Sequence, residues 1–156
     1  MLHPRPPDAQ GAKLVAIKRR LTSGEIHTTR VRGLGMHLNH LGLTVRDQQR
    51  SLAFYEVYFQ FDKATARTYP DGTVIVCNPD GFDLALHAGE IPAQSSFLHF
   101  GFALASPDDV HTLLARMSAD GIQIVERDDE PDLVSFKCHD PDGWRIEVYW
   151  ELARPG

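Results

Sequence analysis

Apolar and polar positions first alternate in a regular way at His40–Val45. Leu41, Leu43 and Val45 share one strand face there, while Leu38, His40, Gly42 and Thr44 share the other. Fifty-nine positions later the same form returns: Phe100, Phe102 and Leu104 lie opposite His99, Gly101 and Ala103. Each strand is followed by a helix signal. After the first, Asp47 stands as N-cap, and Leu52, Tyr55, Val57, Tyr58 and Phe61 recur at loosely helical spacing. After the second, Ser106 is the N-cap, Pro107 takes the first helical position, and Asp108 and Asp109 suit the positive end of the dipole. Val110, Leu113, Leu114 and Met117 then form an apolar stripe, and Gly121 ends the helix.

Each half closes with two β-rich runs around a matched turn. The first pairs Thr73–Cys77 with Phe82–His87 across Asn78-Pro79-Asp80-Gly81. The second pairs Val134–Cys138 with Trp144–Trp150 across Asp140-Pro141-Asp142-Gly143. In Pro-Asp-Gly the proline fixes φ and the glycine supplies a positive φ, which makes each a hairpin turn. Strand, helix, three strands, and the same again: the pattern predicts an α+β fold of two tandem βαβββ modules. Module 1 spans about 36–90 and module 2 about 95–152, with a short tail at 153–156.

Residues 1–35 do not share this pattern. They hold seven Lys/Arg against Asp8 and Glu25, a net +5, so the total of −5 leaves −10 on the remainder. An acidic body argues against nucleic acid as a partner. The basic start, with Pro4, Pro6 and Pro7, is expected to be a flexible extension ahead of a domain opening at Met36. It lacks the amphipathic Arg/Ser pattern of a mitochondrial presequence. With 156 residues, 42% of them apolar, the chain suits one domain. No apolar run is long enough for a membrane span. Cys77 and Cys138 lie 61 apart without zinc-site spacing. They read as small buried apolar residues in a reduced, cytoplasmic setting.

The chemistry sits on the polar faces. The apolar face of each first strand is expected to bury its helix, which leaves His40 and His99 on the opposite side, each two residues before a glycine. In Arg145–Glu151 the odd positions put Glu147, Tyr149 and Glu151 on one face and Ile146, Val148 and Trp150 on the other. Glu147 is therefore an acid in mid-strand with a packed reverse face, a costly place for a carboxylate unless it is paired or metal-bound. A lone strand histidine is usually just hydrogen-bonded. Two at repeat-equivalent positions, together with such an acid, point to a metal site.

These motifs (His40-x-Gly-Leu-x-Val, His99-x-Gly-Phe, and Asp-Pro-Asp-Gly-Trp-Arg-Ile-Glu ending at Glu147) resemble the vicinal oxygen chelate superfamily. That group includes glyoxalase I, fosfomycin and bleomycin resistance proteins and extradiol dioxygenases. The resemblance spans about Met36 to Leu152 and implies modules curving into a U-shaped mixed sheet around a divalent metal. It also implies His40, His99 and Glu147 as ligands, and a homodimer whose site draws ligands from both subunits. Two histidines and one carboxylate leave about three octahedral positions open, which suits Fe(II), Mn(II), Ni(II) or Zn(II). The substrate is then a small molecule that chelates through neighbouring oxygens. The implied activity is that of a lyase, isomerase or ring-cleaving dioxygenase. The alternative is a metal-free drug-binding protein of the bleomycin-resistance type.

Further catalytic candidates are Glu147 itself, Tyr149 on the same face, Asp83 and His139. Asp83 is expected at the place in module 1 that Glu147 takes in module 2, with His87 four residues on as a proton shuttle. Ring-cleaving relatives carry a Tyr about ten residues before the metal-binding Glu. Here that position holds Lys137, with His139 two further on as another polar partner. A fosfomycin-type site needs clustered cations, and the body carries nine Lys/Arg without an obvious cluster.

Overall fold

The computed structural model describes residues 37–153. The expectations placed on the basic leader 1–35, on Met36, and on the tail beyond Ala153 lie outside the described residues. The elements run β1 (His40–Val45), α1 (Gln48–Phe59), β2 (Asp62–Thr68), β3 (Val74–Cys77), β4 (Asp83–Ala88) and β5 (Phe100–Ala103). They continue with α2 (Pro107–Ala119), β6 (Ile124–Glu130), β7 (Leu133–His139) and β8 (Arg145–Glu151). This is the twice-repeated βαβββ order.

Capping explains where the helices start. The Asp47 carboxylate accepts the N–H groups of Gln49 and Arg50, and the Ser106 hydroxyl accepts the N–H of Asp109. Pro107 sits in the first turn of α2. The helical stretch expected to reach Phe61 stops at Phe59, because Gln60 turns left-handed with φ 59°. Phe61, freed from the helix, is almost fully buried in the core.

Each module forms a four-stranded sheet, with orders β1-β4-β3-β2 and β5-β8-β7-β6. The first and last strands of a module run parallel, and the other neighbours are antiparallel. The hairpin turns before β4 and β8 carry positive φ at Gly81 (78°) and Gly143 (91°). The edge strands β2 and β6 are exposed almost throughout and have no apolar alternation to announce them.

One shared core lies between the modules. Leu43, Val45, Leu84, Leu86 and Val76 line it from the first sheet, and Phe136, Cys138, Ile146 and Val148 from the second. Each such side chain contributes roughly 1.5–3 kcal/mol by leaving water. Phe59 of α1 stacks on Phe102 of β5 with centroids 4.5 Å apart. The turn before β8 is bonded to the start of module 1. Trp144 Nε1 donates to the Thr44 carbonyl at 2.8 Å, and the Tyr55 hydroxyl donates to Asp140 Oδ2 at 3.0 Å. Arg46 and Arg50 reach Asp142 Oδ1 at 3.2 and 2.7 Å. With the apolar faces turned inward, the faces carrying the histidines are left open. Cys138 is buried as expected, whereas Cys77 is only half-buried because it lies on the open face of β3.

Candidate functional site

His99 and Glu147 meet. Gly101 of β5 pairs with Glu147 of β8, so the histidine just ahead of β5 and the acid stand on one face. His99 Nε2 lies 3.3 Å from Glu147 Oε2, with the side chains 25% and 23% exposed. His99 Nδ1 is 2.8 Å from the Phe97 carbonyl, which can only accept, so Nδ1 carries a hydrogen. In the neutral ring Nε2 therefore presents a lone pair to the carboxylate. Two acceptors at that separation are held together only by something positive, either a second ring proton or a cation. The donor set thus fits a divalent metal.

A cavity of about 370 Å3 opens beside the pair, lined by His99, Gly101, Leu133, Glu147, Tyr149 and Glu151. Tyr149 lines this cavity. Its ring fills the space over Gly101, where a β-carbon would meet Tyr149 Cε1 at 3.1 Å. The space over this glycine is therefore taken by the tyrosine, while Gly42 has nothing within 4 Å of its β position.

Lys137, on β7, is the cation next to Glu147. Its Nζ is 3.6 Å from Glu147 Oε1 and forms a close ion pair with Glu126 of β6. The hydrogen bond to Glu126 is the main influence holding the Lys137 ammonium above its ordinary pKa, and the same bond lowers that of Glu126.

His40 does not join this group within the chain. Among the described residues, no set of three or more His, Cys, Asp or Glu side chains lies close enough to hold a metal ion. His40 is exposed on the open face of module 1, its Nδ1 3.0 Å from Asn39 Oδ1, which leaves Nε2 facing outward from that bond. Strand register also corrects the reading of Asp83. His40 pairs with Asp83 and Gly42 with Ala85, whereas Gly101 pairs with Glu147. Ala85 therefore occupies the place in module 1 that Glu147 has in module 2, and Asp83 corresponds to Arg145. Aligning the two turns at Gly81 and Gly143 gives this register from the sequence. Asp83 instead lies beside His40, with Cys77 across from it on β3. The Cys77 thiol is pushed up by partial burial, then by Asp83. His87 bonds Thr73 Oγ1 at 3.1 Å. His139 pairs with Arg145 across the strands, bonds Gln123 Oε1 at 3.1 Å and does not line the cavity.

Residues 37–148 match the family described as the Glyoxalase/Bleomycin resistance protein/Dioxygenase superfamily. The chain is 33% identical over 122 residues to biphenyl-2,3-diol 1,2-dioxygenase of Metapseudomonas furukawaii, covering 72% of this chain. It spans only 40% of the length of that relative. A possible glyoxalase from Bacillus cereus superposes with a TM-score of 0.62 at 28% identity, covering 73% of this chain and 98% of that one. The fosfomycin resistance protein FosX of Listeria monocytogenes, solved with Mn(II) and sulfate, shares the fold at a TM-score of 0.64 and 17% identity. That match covers 76% of this chain and 92% of FosX.

Proposed function

The chain belongs to the Glyoxalase/Bleomycin resistance protein/Dioxygenase superfamily, and from that membership we propose that it is a divalent-metal-dependent enzyme acting on a small molecule with two neighbouring oxygen donors. The observation that carries this reading is His99 Nε2 facing Glu147 Oε2 at 3.3 Å beside an open cavity. His99 and Glu147 would hold the ion from one chain. His40 of a second copy would complete the ligand set. Leu38 and Phe97, each 83% exposed and each two residues ahead of one of the histidines, support burial of this region against such a copy.

Bound there, the ion would supply Lewis acidity toward two vicinal oxygens of the substrate. The chain's own residues do the rest. The Phe97 carbonyl fixes the tautomer and tilt of His99. Glu147 offers its carboxylate as a ligand. Tyr149, spread over Gly101, walls the cavity with an aromatic face and a phenol. Asp83 stands beside His40 as an acid next to the third ligand.

The similarity to biphenyl-2,3-diol 1,2-dioxygenase makes an aromatic vicinal diol the first substrate class to test. A phosphonate suits the site less, because Lys137 is already engaged by two carboxylates and Arg145 by the Ser96 carbonyl. The test is anaerobic dialysis against Fe(II) and Mn(II), followed by oxygen uptake or isomer analysis with a catechol. One ion per chain is expected, lost in His99→Ala and Glu147→Ala. Folded protein that retains no ion would refute the proposal.

A further inference from the structure

Three strands bring an acid, a base and an acid into one row. Glu126 on β6 pairs with Lys137 on β7, Lys137 with Glu147 on β8, and Glu147 with Gly101 on β5. Cross-strand neighbours of this kind stand roughly 5 Å apart at their β-carbons, within easy reach of these side chains. Lys137 is only 14% exposed and contacts both carboxylates.

The row exists because β6 is irregular. Ile124 pairs with Cys138 and Glu126 with Lys137, so β6 carries one extra residue there. In a regular ladder Val125 would oppose Lys137, and Glu126 would oppose Phe136 on the core side of the sheet. The bulge re-aims Glu126 onto the open face beside the candidate ligands, which is a recurring use of bulges.

The two oxygens of Glu147 consequently have different neighbours. Oε2 faces His99 Nε2 at 3.3 Å, while Oε1 faces the Lys137 ammonium at 3.6 Å. We propose that Lys137, anchored by the bulge-placed Glu126, is a positioning residue that reserves Oε1 and so restricts Glu147 to metal ligation through Oε2 alone. The proposal rests on the metal-site reading above and adds a consequence to it. A carboxylate held to one oxygen leaves one more coordination position for the two oxygens of a chelating substrate. The ammonium also opposes the charge of the ion, so the arrangement weakens metal binding in exchange for open positions. Glu126 offsets part of that repulsion.

The test compares the full-length protein with Lys137→Met, Lys137→Arg and Glu126→Gln. It uses Mn(II) titration, with water-proton relaxation to count exchangeable waters on the bound ion. Lys137→Met keeps the length and packing of the side chain but frees Oε1. It is expected to bind Mn(II) at least fivefold tighter and to lose one exchangeable water. Lys137→Arg keeps the charge and should stay within threefold of the wild type with the same water count. Glu126→Gln should bind Mn(II) more weakly. Equal affinity and equal water counts in the wild type and Lys137→Met would overturn the proposal. So would loss of the wild-type water count in Lys137→Arg. A wild-type protein that binds no Mn(II) sinks the metal-site reading itself, a different outcome from an unresponsive Lys137.

Discussion

The ring of Tyr149 lies against Gly101 so closely that a β-carbon there would come within 3.1 Å of Tyr149 Cε1 and 3.5 Å of Cδ1. At Gly42, the counterpart in module 1, the same atom would meet nothing within 4 Å. Two glycines that look alike in the sequence thus do different work. Gly101→Ala should destabilise the fold by about 1–2 kcal/mol as the ring is forced aside. Gly42→Ala should be neutral or stabilise by up to about 1 kcal/mol, because alanine loses less chain entropy in a strand. Urea denaturation of both variants checks this. Equal effects of the same sign would contradict the packing described.

Asp142 joins the two modules. Its side chain is 0% exposed, while Arg46 and Arg50 are about half exposed. The acid also accepts the Arg46 backbone N–H at 3.1 Å. Loss of the carboxylate leaves two arginines that water can reach, so the cost is smaller than for a wholly buried pair. Asp142→Ala should lower stability by about 1–3 kcal/mol, with the denaturant midpoint moving and the slope unchanged. Asp80, at the matching point of the other turn, is exposed, and Asp80→Ala should change stability by less than about 0.5 kcal/mol.

Burial, the largest influence, holds the Asp140 carboxyl above its usual value of 3.8, against hydrogen bonds from the Trp144 and Asp142 backbone and from Tyr55. An acid with a raised folded-state pKa favours the folded chain below its unfolded value. That contribution fades as pH rises through the folded value. Asparagine already serves at the equivalent position, where Asn78 Oδ1 accepts the Phe82 N–H at 2.9 Å. Asp140→Asn should therefore fold, and its stability relative to wild type should improve as pH climbs from about 4 to 7. A difference that stays constant across that range would contradict the assignment.

Much of this architecture is legible in the residues, and the reasons are local. Ser106-Pro107 starts α2 and Asp47 starts α1 because capping needs only neighbouring backbone N–H groups. The strand faces follow from alternation, since Leu43, Val45, Ile146 and Val148 are all buried while His40 and Glu147 are not. What the sequence hides is non-local. Phe61 looked helical until Gln60 broke the helix. The edge strand β6 has no apolar period, so neither its bulge nor the Glu126–Lys137 contact could be read from spacing. The displacement of Asp83 by two residues was readable, because the matched Gly81 and Gly143 fix the register.

Cys138 is fully buried, and its thiol is pushed up to about 12 by desolvation and then by Asp140. So little thiolate at neutral pH makes it inert. In native protein at pH 7.5, Cys138 should not react with a disulfide reagent over an hour, and it should react promptly in urea. Fast native labelling of Cys138 would mean that the core around Phe136 and Ile146 opens readily.

The central claim is that His99 and Glu147 share one ion with the His40 of a second copy. Crystals grown with Mn(II) or Fe(II) and measured at the metal edge test it directly. The account predicts a single anomalous peak roughly 2.0–2.3 Å from His99 Nε2 and Glu147 Oε2, with His40 of a second copy on the same ion. No peak between His99 and Glu147, or a peak elsewhere on the molecule, would contradict it.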